Sequence, residues 1–68
     1  MAKDEAKAVE WYEKAAEKGD SSAMYNLGAC YYNGRGVAVD IAKAREWFTK
    51  AAALGDETAT NLIARLGA

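Results

Sequence analysis

Sliding the sequence against itself by 36 residues superposes its beginning on its end, and this self-similarity limits the chain to very few architectures. Between positions 4–23 and 40–59 there are 12 identities in 20. They include the Trp11 and Trp47 pair, Ala15-Ala16 against Ala51-Ala52, and Gly19-Asp20 against Gly55-Asp56. A fixed period of this length marks a stacked repeat, in which each unit buries its apolar face against a neighbour. Proteins built this way usually act through surfaces that hold partners.

The spacing of apolar residues makes the repeating unit helical. Residues 4–18 place Ala6, Ala8, Val9, Trp11, Tyr12, Ala15 and Ala16 at helical intervals among strong helix formers. Further helices are expected over about 21–33, 40–54 and 57–66, giving an all-α fold of four helices. Asp4, Asp20, Asp40 and Asp56 each stand where an N-cap is needed, while Gly19 and Gly55 stand where a helix closes on a left-handed residue. Two-residue connections at Gly19-Asp20 and Gly55-Asp56 make the joined helices antiparallel neighbours. In the second helix Ala23, Met24, Leu27, Cys30 and Tyr31 share one side, and Ser22, Tyr25, Ala29, Tyr32 and Asn33 lie opposite or beside it. Gly28 interrupts this helix at a cost near 1 kcal/mol, which implies close approach by another helix. In the third helix Ile41, Ala44, Trp47, Phe48 and Ala51 form the inward side, and half the core positions are alanine. Trp11 and Trp47 are expected to be bulky plugs in this core, each worth about 4 to 6 kcal/mol at most. Residues 33–39 form a loop anchored by Val37.

Composition removes several chemistries. Nine basic and ten acidic side chains are interspersed and give a net charge of −1, so neither nucleic acid nor a membrane surface is an expected partner. The chain as written reads as soluble, with no apolar run near membrane-spanning length and no signal-peptide pattern. It contains no histidine and the single cysteine Cys30, which rules out an intrachain disulfide and a multi-cysteine metal site. No metal or other cofactor is expected. Gly34-Arg35-Gly36 lacks the third glycine of a dinucleotide fingerprint and the Lys-Ser or Lys-Thr of a phosphate loop, so it is read as a connector. Cys30 is read as a small buried hydrophobe, with no basic neighbour evident from the sequence.

Leu27-Gly28 with Tyr31, then Gly34-Arg35-Gly36-Val37, Asp40, Lys43-Ala44, Trp47-Phe48, Lys50-Ala51-Ala52 and Gly55 together resemble the Sel-one-like repeat (SLR), a 36-residue relative of the tetratricopeptide repeat. The resemblance covers nearly the whole chain. It implies an α/α solenoid of helix pairs, each a helix A followed by a helix B, used as an adaptor or scaffold in protein complexes. In these terms residues 1–68 form a single domain of about 1.9 repeats in the order B, A, B, A, permuted and without polar capping helices. At least three repeats are normally needed for stability, and a chain of this size buries only about 60% of its unfolded surface. A consensus-like design or an excised piece of a longer array would both have this character. The last helix has Ile63-Ala64 where the family pattern has Leu-Gly.

Two functional expectations follow. Carrying the family's inner-groove positions onto this chain gives Ser22, Tyr25, Ala29, Tyr32 and Asn33, with Thr58, Asn61 and Arg65, as a surface for a protein or peptide partner; the alternative is that these are ordinary exposed helix residues. A structural self-assembling unit is the other expectation. Leu62, Ile63 and Leu66 would be exposed towards an absent B helix, and two copies would associate as a closed dimer or head to tail. No catalytic residue is assigned. Acylation by β-lactams, suggested for some cysteine-rich relatives, finds no support here, since Ser21 and Ser22 stand in a helix's first turn and no histidine is available to act as a base.

Overall fold

The computed structural model describes residues 4–67, and they form four α-helices: α1 Glu5–Glu17, α2 Ser21–Asn33, α3 Ile41–Ala53 and α4 Glu57–Gly67. The expected bounds hold to within one residue, the ends being fixed by local chemistry. The Asp4, Asp20 and Asp40 carboxylates accept from the backbone N–H of Lys7, Ala23 and Lys43 at 3.1, 3.2 and 3.1 Å. Asp56 accepts likewise from Ala59 at 3.0 Å. Each aspartate satisfies an amide that the first helical turn leaves free.

The two short connections are built alike. Gly19 and Gly55 take φ of 94° and 97°, a conformation disfavoured for residues bearing a Cβ. Gly19 N–H then donates to the Ala16 carbonyl at 2.9 Å and Asp20 N–H to Ala15 at 3.1 Å. Gly55 N–H donates to Ala52 at 2.9 Å and Asp56 N–H to Ala51 at 3.0 Å, the same pairing 36 residues on. Asp20 and Asp56 thus close one helix with their backbone and open the next with their side chain.

The third connection is longer. Arg35 N–H donates to the Cys30 carbonyl at 2.9 Å, and Asp40 N–H returns to the Tyr31 carbonyl at 2.9 Å. Between them Gly36, at φ 74°, lies flat against the start of α1: a Cβ there would fall 2.5 Å from the Glu5 carbonyl oxygen. Val37 is half-buried against the core, as expected.

Each helix packs chiefly on its neighbours in the chain, α1 on α2, α2 on α3 and α3 on α4, in a body 36 × 25 × 18 Å across. The central α2–α3 pair holds the most deeply buried large side chains, Leu27 at 0% and Phe48 at 1% exposure. Gly28 makes this possible. A Cβ at that position would lie 2.7 Å from Cδ1 and Cε1 of Phe48, so the ring occupies space that any other residue would fill. Five of the ten buried apolar residues among those described are alanines, Ala16, Ala23, Ala44, Ala51 and Ala59, as the sequence suggests.

Two core expectations fail. Trp11 is 71% exposed, whereas its repeat equivalent Trp47 is half-buried. The helices that carry them differ in surroundings: α3 is flanked by α2 and α4, while α1 packs on α2. Ile41 is 45% exposed in the first turn of α3. Helical spacing placed both residues on the inward face, but a face buries only where another element covers it.

Candidate functional site

The sequence-predicted partner-binding residues come together in part on the side where α2 and α4 both reach the surface. Tyr25, Ala29, Tyr32, Asn33, Phe48 and Leu62 line a hollow of about 250 Å³. Tyr25, Thr58, Asn61, Leu62 and Arg65 line a second of about 260 Å³. Tyr25 and Leu62 belong to both, so the two hollows adjoin as one groove. Ser22 lines neither; it is exposed in the first turn of α2.

The groove's floor is aromatic because Gly28 admits Phe48. With Phe48 drawn in against α2, its ring meets Tyr25 at 5.5 Å between centroids and an interplanar angle of 42°, within the favourable range for tilted aromatic pairs. Tyr25 is consequently half-buried, where the helical wheel had placed it away from the core. Tyr32, about two turns further along α2, is 41% exposed and forms the rim. Asn33 Nδ2 donates to the Ala29 carbonyl at 3.0 Å, which fixes the amide and leaves its oxygen as a free acceptor. Asn61 and Arg65 stand exposed on α4, one turn apart. Among the described residues Arg65 is the one ionised side chain lining the groove, and no carboxylate lines it.

The sequence did not identify Phe48 or Leu62 as groove residues. Helical spacing puts Phe48 in the core and groups Leu62 with Ile63 and Leu66. The structure separates these three: Ile63 and Leu66 line a different, smaller hollow of about 110 Å³ with Arg45 and Thr49. All three are half-buried against α3 and its neighbourhood and are not fully open as expected. The step of about 100° between consecutive helical residues turns position 62 away from 63, but Leu66 lies one turn beyond Leu62 on the same stripe, so helical spacing alone does not separate the three.

Elsewhere, Asp4, Glu5, Ala8, Tyr12, Cys30 and Arg35 surround a hollow between α1 and α2. Cys30 is buried there, as expected, and burial pushes its thiol above the ordinary value; Arg35 opposes this and Glu5 reinforces it. The Arg35 guanidinium is the basic neighbour that the sequence did not reveal. Its effect is outweighed by burial, so the site favours a neutral thiol and not an activated thiolate. Among the described residues no group of three His, Cys, Asp or Glu side chains is placed to hold a metal ion, and no helix is long and apolar enough to cross a membrane.

Sequentially packed helices joined alternately by a tight turn and a longer glycine-containing loop define an α/α repeat protein. The Sel1 repeat family model matches residues 1–20 and 21–56. The chain belongs to this family, whose repeats are helical and typically serve as non-catalytic protein-interaction modules. The second match takes in α2, the loop and α3 together, and the first ends at the turn before α2. No curated protein and no solved structure matches the chain.

Proposed function

We propose that the chain is a protein-interaction module that takes an extended peptide segment in the groove between α2 and α4. The observation that carries this reading is the continuity of the two hollows through Tyr25 and Leu62, which joins an aromatic floor to a polar, acid-free end. An apolar side chain of the partner would sit on Tyr25, Phe48 and Leu62. Its backbone would meet the amides of Asn33 and Asn61, and a carboxylate would complement Arg65. Tyr32 serves as a rim aromatic of the kind that often dominates binding energy. Ser22 and Ala29 take places at the margin.

Peptides selected from a random display library on the wild-type chain provide the test. A Tyr32→Ala, Arg65→Ala double variant changes only exposed side chains and should keep its helicity. We expect it to bind the selected peptides at least about tenfold more weakly, the loss of a typical hot spot. Peptides that bind this variant as tightly as the wild type would place recognition elsewhere.

A further inference from the structure

Residues that are equivalent in the repeat are not equally covered. On α3, Ala44 and Ala51 are fully buried and Phe48 nearly so, while 36 residues earlier Ala8, Ala15 and Tyr12 on α1 are half-buried. On α2, Leu27 is fully buried and Cys30 is 6% exposed, while 36 residues later Ile63 and Leu66 on α4 are half-buried beside the small hollow with Arg45 and Thr49. One cause accounts for both differences. The α2 and α3 helices cover each other, whereas among the described residues α1 packs chiefly on α2 and α4 chiefly on α3. The surface left open on α1 is that of an α3 without its α2. The surface left open on α4 is that of an α2 without its α3.

We propose that a second copy of the chain covers both surfaces, with α4 of one copy docking on α1 of the next in the arrangement of the internal α2–α3 pair. This surface is distinct from the peptide groove, and its occupant is argued from the interface the chain already makes with itself. The contact is heterologous, so each addition leaves one α1 and one α4 open, and growth proceeds stepwise without closing at two. Trp11 is buried by the contact, as Trp47 partly is within the chain.

The pair departs from its internal template at the point of closest approach. Ala64 stands at the place of Gly28 and Tyr12 at the place of Phe48. A Cβ on residue 28 would come within 2.7 Å of the Phe48 ring, so the Ala64 methyl group meets the Tyr12 ring where the template has room for none. The two helices dock only by moving apart from the template spacing, and Ala64 thereby keeps the association weak.

Sedimentation equilibrium from micromolar to millimolar concentration, with circular dichroism at each point, tests the proposal. The weight-average mass should rise without saturating. Ala64→Gly should tighten the association by about tenfold, since relieving overpacking by one methyl group is worth that order. Trp11→Ala, which removes an exposed side chain, should weaken it by about tenfold or more while helicity stays unchanged. A mass that saturates at two chains overturns the head-to-tail arrangement, and monomers throughout, in wild type and Ala64→Gly alike, overturn the docking itself. Should Ala64→Gly keep its helicity and fail to tighten the association, the assigned register is wrong. Should it instead lose α4, the Trp11→Ala comparison in the wild-type background decides: unchanged association overturns the proposal.

Discussion

At the scale of single residues, Phe48 and Gly28 are one feature in two parts. The ring lies where a Cβ on residue 28 would be, so each position constrains the other. Gly28→Ala gains about 1 kcal/mol of helix propensity, but overpacking at a buried helix contact costs about 1–3 kcal/mol, and the ring is held by the full burial around it. We therefore expect net destabilisation, read as a lower urea midpoint. Phe48→Ala removes the ring and should cost about 3–5 kcal/mol, enough to unfold a chain of this size at room temperature as judged by far-ultraviolet circular dichroism. Cys30 gives the residue-scale pH prediction. Burial raises its folded-state pKa, so the folded chain retains the proton longer than the unfolded chain does. The stabilisation is complete below the unfolded-state value and declines as pH rises past it towards the folded one. Thermal melts from neutral to alkaline pH should show a fall in wild type that is shallower in Cys30→Ala.

At the scale of helices, what was legible in the sequence is what each helix determines for itself. The aspartate caps, the glycine closures and the apolar spacing act within a turn or two, and the bounds of α1 to α4 followed from them closely. The exposure of Trp11 and the half-burial of Tyr25 were not legible in this way, because they depend on which helix stands opposite. Trp11 and Trp47 occupy the same place in nearly the same local sequence and have different surroundings. The repeats also differ in how their ends are held. Arg45 Nη2 donates to the Leu66 carbonyl at 3.2 Å, placing a cation at the C-terminal end of α4, where the helix dipole favours it. The equivalent residue on α1 is Val9, which is buried. Arg45→Ala should leave α1 to α3 intact and cost about 0.3–1 kcal/mol, confined to faster amide exchange in the last turn of α4.

For the whole molecule, stability is a sum over neighbouring pairs and not the property of a single centre. The α2–α3 pair contains the fully buried Leu27, Ala44, Phe48 and Ala51, and is covered on both flanks. Native-state hydrogen exchange should accordingly find the slowest amides in α2 and α3, with α1 and α4 opening at lower free energy. Uniform protection across all four helices would contradict this picture. The repeat could be read from the 36-residue period, the all-α fold from the apolar spacing, and the family from motif residues such as Leu27-Gly28 and Gly34-Arg35-Gly36, but the groove required three dimensions. Its floor joins Tyr25 of α2, Phe48 of α3 and Leu62 of α4, three residues that no single-helix pattern would place together.

The flat contact of Gly36 on the backbone of Glu5 bears on how such a chain diversifies. Main chain meets main chain there, so the step from α1 to the following hairpin is gauged by atoms that every amino acid shares. Side chains along α2 and α4 are then at liberty to vary, and the spacing set by that contact does not drift as they change.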